Sequence, residues 1–311
     1  MNYAPLIYAL RDHERYVYHY TKARTALDYI LRNNTLRLNL FTRTNDPRES
    51  RRWQFNIGSL SNQGHPLMDR YDTTRLSKWL GGTLQRSARV ACFCNDSPPL
   101  TGDHLADVNR RGFARPRMWA QYGENHRGVC LVFDRAKLVE AMTAAFRAKA
   151  ESVILFWAPV EYRNHRQVPP LHEHEFSVTA EDLAQLGKDR YPWKHLRRYW
   201  RRLFFEKAED WSAEREWRAV GFTTARGALD LPLGDALVGV IHGARMSIKT
   251  SSAIIAIADR PEIEHMGLTW TNGAPWYDLG NGSWSYNNRR LFERVDAMKA
   301  AASNLSEGDA A

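Results

Sequence analysis

The first hydrophobic pattern in the chain alternates and then changes its period. "RYVYHYT", which ends at Thr21, alternates along its length and is rich in aromatic residues and valine, as is typical of a β-strand. In "KARTALDYILRNN" the apolar residues recur with helical spacing, with Thr21 as the expected cap, and "TLRLNLF" predicts a second strand. We therefore expect a strand–helix–strand unit, with His19 at the end of its first strand.

The same patterns predict elements throughout the chain. Strands are predicted in "RVACFCND", Val129–Phe133, "SVILFWAPVEY", "WSAEREWRAVGF", "ALVGVIHG" and "GLTW". Helices are predicted over 75–86, from the cap Asp134 to about Lys149, from a capping box of Thr179 and Asp182, from Pro192 through "PWKHLRRYWRRLFFEKAED", in "SIKTSSAIIAIADR" and near 288–302. This order predicts an α+β fold, as one domain over 1–302 with a helical insertion at about 170–208, a C-terminal helix and a disordered tail over 303–311.

Composition and charge narrow the class of partner. The chain has 44 Lys and Arg against 35 Asp and Glu, a net charge of +9. Such a surface favours polyanions, whether nucleic acid, a dinucleotide pyrophosphate or acidic lipid, although a basic shell can also serve solubility alone. Three cysteines, no signal-peptide pattern and no apolar stretch of membrane length predict a reduced, soluble, cytoplasmic protein that does not contact the membrane.

Ready-made catalytic and metal motifs are missing from the sequence. There is no glycine-rich phosphate loop between a strand and a helix, no serine elbow and no HExxH helix. Cys92 and Cys94 lie on one face of a strand and are expected to be core thiols rather than metal ligands. His172 and His174, in "LHEHEF", are expected in a solvated loop, so no metal site is predicted.

The helix after Pro192 combines an apolar stripe with an unusually basic remainder. The stripe contains Leu196, Trp200, Leu203 and Phe204. The basic residues on the remaining surface are Lys194, Arg197, Arg198, Arg201 and Arg202. This pattern fits an ordinary amphipathic helix with a wet face, and it also fits a wall that holds nucleic acid.

The segment "WSAEREWRAV" carries the most informative charges. Strand alternation would place Trp211, Ala213, Trp217 and Ala219 on one face and Glu214, Glu216 and Arg218 on the other. On a solvent face these charges would only form salt bridges. In a cleft, one carboxylate could stabilise a positively charged, oxocarbenium-like transition state while the other orients a hydroxyl or nucleophile.

Taken in order, several segments resemble a bacterial protein family of unknown function, DUF2971. They are "YHYT" with the helix ending in "YILRNNTLRLN", then "NDPRES", "MWAQYGENHRGVCLVFD", "WSAEREWR" and "LVGVIHGA", spanning roughly residues 16 to 245. That family in turn looks like a distant relative of the ADP-ribosyltransferase fold, with its mixed and antiparallel sheets. "HYT" is similar to the "H-x-T" of DNA-targeting ADP-ribosyltransferase toxins and to the "H-G-T" of the diphtheria-toxin-like branch.

The resemblance implies catalytic and binding roles for individual residues, with NAD as substrate and no metal. His19 would bind the nicotinamide ribose with support from Thr21, Glu216 would stabilise the oxocarbenium and hold a ribose hydroxyl, and Glu214 would orient the acceptor. Stacking on nicotinamide falls to Tyr20, Trp119 or Tyr122, and contact with the pyrophosphate to Arg43 or Arg218. The family pattern assigns no role to Asn45, Asp46 and Glu49 of "NDPRE". By itself His19 also fits a satisfied core histidine.

Two main functions and a weaker third follow. The first is an NAD-consuming enzyme of ADP-ribosyltransferase type, which passes ADP-ribose to a nucleic acid, a protein or water; by analogy it would be a toxin or anti-phage effector, with room for an antitoxin or inhibitory partner. The second is a non-catalytic nucleic-acid-binding module in which the charged strand is structural. The third is a metal-dependent nuclease that uses Asp46, Glu49, Glu214 and Glu216.

Overall fold

A computed structural model describes residues 15–147, 154–164 and 174–278. The predicted C-terminal helix near 288–302, the predicted tail over 303–311 and the loop residue His172 lie outside these ranges.

The described chain alternates strands and helices. The strands are β1 (Tyr16–Thr21), β2 (Thr35–Leu40), β3 (Asn56–Gly58), β4 (Ala88–Cys94), β5 (Val129–Asp134), β6 (Ile154–Pro159), β7 (Glu161–Tyr162), β8 (Ser177–Thr179), β9 (Glu206–Lys207), β10 (Glu216–Phe222), β11 (Leu229–Pro232), β12 (Leu237–His242), β13 (Glu264–Thr271) and β14 (Ala274–Asp278). The helices are α1 (Ala23–Thr25, continued by a π-helical segment Ala26–Leu31), α2 (Pro47–Ser50), α3 (Thr73–Ser87), α4 (His104–Asp107), α5 (Pro116–Gln121), α6 (Arg135–Arg147), α7 (Ala180–Phe204) and α8 (Ile248–Ile257).

These elements form two compact units, each built from separate stretches of the chain. Unit 1 contains Met1–Leu36, Phe93–Ala145 and Asp230–Ala311, and unit 2 contains Arg37–Cys92 and Phe146–Leu229. The α+β class predicted from the sequence is confirmed, with mainly antiparallel strand pairs and several helices. The single domain predicted over 1–302 stays a prediction.

Unit 1 is organised around β1. This strand pairs antiparallel with β5, from Tyr16 opposite Asp134 to Thr21 opposite Val129. β5 pairs antiparallel with β12, β12 parallel with β13, and β13 antiparallel with β14. Because side chains alternate along a strand, the three tyrosines of β1 share one face, where they enter the core with Phe113 and Trp119.

Unit 2 has a core of its own and a further set of strand pairs. β4 pairs with β2 and β10, β10 pairs antiparallel with β6, and α3 packs against α7. Its core residues come from both helices and from β10, and include Leu80, Leu84, Leu196, Phe204 and Phe222.

Local sequence signals placed several elements correctly. α3, β4 and β5 lie where the periodicity predicted them. Asp134 caps α6 as expected, because its Oδ1 accepts hydrogen bonds from the backbone N–H groups of Ala136 and Lys137. α6 is described as far as Arg147.

The predicted cap at Thr21 is wrong, whereas the helix predicted from Thr179 begins there but lacks its capping box. Thr21 is the last residue of β1, and Lys22 is the cap of α1. Thr179 stands at the cap position of α7, but its side chain makes no capping hydrogen bond, and Asp182 pairs with Lys194 at 2.7 Å. α7 is one long element that is broken at Gly187, whose φ of 67° is easy only for glycine, and Pro192 lies inside it.

Within the described residues, none of the helices is both long and apolar enough to cross a membrane.

Candidate functional site

The charged segment before β10 has a different shape from the predicted strand. Glu209–Glu214 form a 3₁₀ helix, Arg215 adopts a left-handed φ of 44°, and β10 begins only at Glu216. Trp211, Ala213 and Glu214 are therefore not strand residues, which corrects the predicted alternation for the first half of this segment. Glu216 and Arg218 do share a strand face, as expected.

Arg218 is the centre of a buried group of charges in unit 2. Its Nε lies 2.7 Å from Oε1 of Glu216 and its Nη2 lies 2.8 Å from Oε2, a two-point contact that fixes both side chains. Its Nη1 donates to the carbonyl of Phe204 at 2.7 Å. The side chain of Arg218 is fully buried.

Lys207 ties a second carboxylate to this group. Its Nζ lies 2.7 Å from Oε2 of Glu214 and 2.8 Å from Oε2 of Glu216. The two glutamates singled out from the sequence are thus brought together, by a lysine that the sequence reasoning had left inside a helix. Charge alternation in "FEKAED", just before "WSAEREWR", was the signal that could have identified Lys207.

Glu49, from the unassigned "NDPRE" motif, completes the group. Its Oε1 lies 2.6 Å from Nη1 of Arg218, but off the N–H direction, so the contact is an ion pair and neither carboxylate oxygen has a hydrogen bond. Asp46 caps the short helix α2 by accepting from the N–H of Arg48. We call Glu49, Lys207, Glu214, Glu216 and Arg218 the ion cluster; all five side chains are buried.

The pKa values of two ion-cluster carboxyls move in opposite directions. Burial acts to raise the pKa of Glu216, but Arg218 and then Lys207 outweigh it and lower the pKa to about 2. For Glu49 burial prevails over Arg218 and Lys207, and its pKa is raised. Burial, and then the negative charge of Glu216, raises the pKa of the Cys92 thiol. One carboxyl is held ionised, while its neighbour keeps a proton more readily.

A further buried carboxylate, outside the ion cluster, lies one residue before Lys207. Glu206 is paired with Arg202 and, at 2.5 Å, with Arg48, and Nε of Arg163 lies 3.7 Å from its other oxygen. Arg202, predicted to bind nucleic acid, therefore has an internal partner. Sequence reasoning missed Glu206 because its partners come from three separate stretches of the chain.

The predicted ribose-binding residues lie in unit 1, whereas Glu214 and Glu216 lie in unit 2. His19 is half-buried inside β1, opposite Leu131, with its ring centroid 5.7 Å from that of Phe93. Thr21 is buried at the end of the strand.

Two of the three rings predicted to stack on nicotinamide are enclosed in the core of unit 1. Tyr20 donates to the carbonyl of Gly112 at 2.7 Å, and Trp119 donates to the carbonyl of Phe113 at 2.7 Å. Stacking on a ligand would require this core to open. Tyr122 is half-buried, and Arg43, predicted to meet the pyrophosphate, is exposed in unit 2.

The basic face of α7 is present and open. Lys194, Arg197, Arg198 and Arg201 are exposed. At 100° per residue they fall within an arc of about 100°. Lys194 is paired with Asp182. Among the residues that the structure describes, Arg197, Arg198 and Arg201 have no carboxylate partner, so their charges remain available to a ligand.

The two units divide the charge of the chain unequally. Unit 2 contains 25 Lys and Arg against 16 Asp and Glu, whereas unit 1 contains 19 of each, so the whole net charge of +9 belongs to unit 2. In the described parts of both units, there is no group of three or more His, Cys, Asp or Glu placed to hold a metal ion.

Comparison with known proteins gives one match. Searches of curated proteins and of solved structures found none. Residues 118–219 match the model of the family described as "Protein of unknown function (DUF2971)". The matched range contains "MWAQYGENHRGVCLVFD" and "EREWRA". These are two of the segments on which the resemblance rests, so the match supports the resemblance of this chain to DUF2971.

Proposed function

We propose that the protein binds nucleic acid through unit 2, along the basic face of α7. The observation that carries this proposal is that the whole net charge belongs to unit 2, where three exposed arginines of α7 lack carboxylate partners in the described chain. Unpaired cations on one helix face attract phosphates and release their counterions on binding.

The ion cluster has a structural role in this proposal. A buried carboxylate is stable only when it is paired, and Glu216 has both of its oxygens paired. The cluster joins β10 to Lys207 of β9 and to Glu49 of α2, and it thereby fixes the start of β10 beside the end of α7, where Arg218 holds the carbonyl of Phe204.

The test is the salt dependence of binding to labelled oligonucleotides. A double variant, Arg197→Gln with Arg198→Gln, should weaken binding and reduce the slope of log K against log salt by about 1.5, since each phosphate contact contributes about 0.7 to 0.9. The matched control is Arg24→Gln with Arg32→Gln, which removes two exposed arginines from unit 1 and should leave the slope unchanged. Equal losses in both double variants would contradict the proposal.

A second candidate, NAD cleavage of ADP-ribosyltransferase type, is favoured by the opposed pKa shifts of Glu49 and Glu216. Two carboxyls on one guanidinium, one ionised and one inclined to hold a proton, form a pair suited to breaking a glycosidic bond through an oxocarbenium-like transition state. In this proposal NAD displaces Lys207 or Arg218 from Glu216, and the ADP-ribose passes to a nucleic acid held by α7. The protein would then act as a toxin or anti-phage effector.

Nicotinamide release decides this second candidate. Purified protein is incubated with NAD labelled on the adenylate, with and without RNA or DNA, beside Glu216→Gln. NAD cleavage predicts release by the wild type that the variant loses, with label on the polymer. No release by the wild type under any condition would reject it, whether or not the variant folds.

A further inference from the structure

The basic face of α7 also carries planar groups. Phe156 of β6 and Trp200 lie parallel, with ring centroids 4.5 Å apart and 4° between their planes. The guanidinium carbon of Arg201 lies over the ring of Trp200 at 4.5 Å from its centroid. Phe156 and Arg201 thus both pack on the ring of Trp200, and Arg201 is exposed. We call Phe156, Trp200 and Arg201 the stacking column.

Two further aromatic residues, Phe205 and Phe222, pack against the stacking column. The rings of Trp200 and Phe205 are nearly perpendicular with their centroids 4.9 Å apart, and the ring centroid of Phe156 lies 6.0 Å from that of Phe222 in the unit 2 core. A cation held over an aromatic ring loses part of its freedom before any ligand arrives, so a further planar group can stack on it at a lower entropic cost. A second cation–ring contact lies on the same helix, where the guanidinium carbon of Arg198 is 5.3 Å from the ring centroid of Tyr199.

We infer that the ligand of this face is single-stranded nucleic acid, with Arg197 and Arg198 at the phosphates and a base stacked on Arg201. This inference rests on the proposed nucleic-acid binding and adds the class of polymer. The faces of duplex bases are covered by their neighbours in the helix, whereas a single strand can splay a base onto a guanidinium plane. A purely electrostatic face would bind either form, because phosphates alone carry that attraction.

The experiment compares the full-length chain with a labelled single-stranded RNA, the DNA of the same sequence and the corresponding duplexes, at two salt concentrations. Tighter binding of the single strands is expected. Duplex bound as tightly as single strand would overturn the inference and leave the proposed function standing. Absence of binding to every oligonucleotide would overturn both.

Arg201→Lys tests the stacking column itself, because it keeps the positive charge but replaces the planar guanidinium group with an ammonium group. It should weaken single-strand binding about fivefold, the equivalent of one exposed cation–π contact, with an unchanged salt slope. The matched control Arg197→Lys makes the same exchange on the same helix, where the described structure has no ring beneath the guanidinium, and should leave the affinity unchanged. Equal effects of the two variants would overturn the stacking role of Arg201.

Discussion

The two units differ in how many carboxylates pair with a buried arginine. Unit 1, which is neutral in sum, buries one arginine, Arg111, against one carboxylate, Asp96, at 3.0 Å. Unit 2 carries the net charge of +9 and buries Arg218 against two carboxylates, Glu216 and Glu49, while Lys207 pairs with Glu216 and with a third carboxylate, Glu214. In unit 2 three buried carboxylates thus surround two buried cations, whereas in unit 1 Arg111 is paired with a single carboxylate.

Two candidate functional groups predicted from the sequence differ in exposure. Glu214, Glu216 and Arg218 of "WSAEREWR" are buried, whereas Arg197, Arg198 and Arg201 of α7 are exposed. Buried carboxylates form ion pairs with arginines that pack against them, as Glu206 does with Arg202. The exposed Arg197, Arg198 and Arg201 have no such carboxylate partner in the described chain. We take exposure, rather than charge alone, as the mark of the ligand-binding residues.

The largest expected effect comes from removing the central arginine of each unit. Arg218→Met leaves Glu216 and Glu49 buried without their partner and should cost about 4 kcal/mol of unfolding free energy. Arg111→Met should cost less, about 1–3 kcal/mol, because Asp96 still accepts from the N–H of Gly112 and the hydroxyl of Tyr18. Urea unfolding of both variants measures the difference, and an equal or reversed order would contradict it.

Glu216 and Glu49 should contribute unequally to the free energy of unfolding that urea unfolding measures. Glu216→Gln removes an ionised group that holds Arg218 and Lys207 and should cost about 3 kcal/mol. Glu49→Gln removes a carboxyl that makes no hydrogen bond and whose pKa is raised, so its cost should be about 1 kcal/mol. A larger loss for Glu49→Gln would show that Glu49 is the anchor of the cluster.

Buried neutral histidines should make unit 1 the more sensitive to mild acid. Ser251 lies 3.1 Å from Nδ1 of His242, Nε2 of His242 lies 3.1 Å from Nδ1 of His265, and Nε2 of His265 lies 3.4 Å from the carbonyl of Ala258. The carbonyl only accepts, so the hydrogens run from Ser251 through both rings to Ala258. With the hydrogens so placed, a proton added to Nδ1 of His265 would set it against the N–H of His242, whereas the hydroxyl of Ser251 can turn and accept from a protonated His242.

The pKa shifts give the pH window. Burial lowers the pKa of His242, and it lowers the pKa of His265, and of His195 in unit 2, from 6.5 to about 4. The unfolded chain therefore binds protons that the folded chain refuses, and stability falls as the pH drops from 6.5 towards 4. The free energy of unfolding should be lower at pH 5 than at pH 7 by on the order of 2 kcal/mol per histidine.

Single substitutions of these histidines show which unit causes the loss of stability between pH 7 and pH 5. His242→Gln should remove more of the pH dependence than His195→Gln, because it disrupts a chain of two coupled histidines. Stability that stays constant between pH 7 and pH 5 would contradict the buried neutral state of all three.

The smallest effect is expected at an exposed pair of unit 1. Arg24 and Asp28 lie four residues apart on the surface at 3.1 Å. Arg24→Gln should change the unfolding free energy by less than about 0.5 kcal/mol, because solvent screens the pair. A cost similar to that of Arg218→Met would remove the distinction between exposed and buried charges on which the comparison depends.

The sequence could predict features that depend on neighbouring residues. The strand β1, the Asp134 cap and the shared face of Glu216 and Arg218 are local features, and all three are confirmed. The start of β10 was missed because Arg215 takes a left-handed conformation that no periodicity reports. The break of α7 at Gly187 falls between the two helices that the sequence predicts, one from Thr179 and one from Pro192.

The ion cluster and the charge division could not be predicted because they depend on long-range folding. Glu49 and Arg218 meet across 169 positions of the sequence, and the position of Glu49 in "NDPRE" does not indicate its partner. The net charge was visible, but its division was not, because each unit is assembled from stretches that interleave along the chain.

The most direct test of the account is to map where a single strand contacts the chain. A photoreactive single-stranded RNA is bound to the full-length protein and crosslinked, and the modified peptides are identified by mass spectrometry. Crosslinks are expected in the peptides that contain Arg197, Arg198 and Arg201, and they should be lost in the Arg197→Gln, Arg198→Gln double variant. Crosslinks that fall in unit 1 and persist in that variant would contradict nucleic-acid binding by α7.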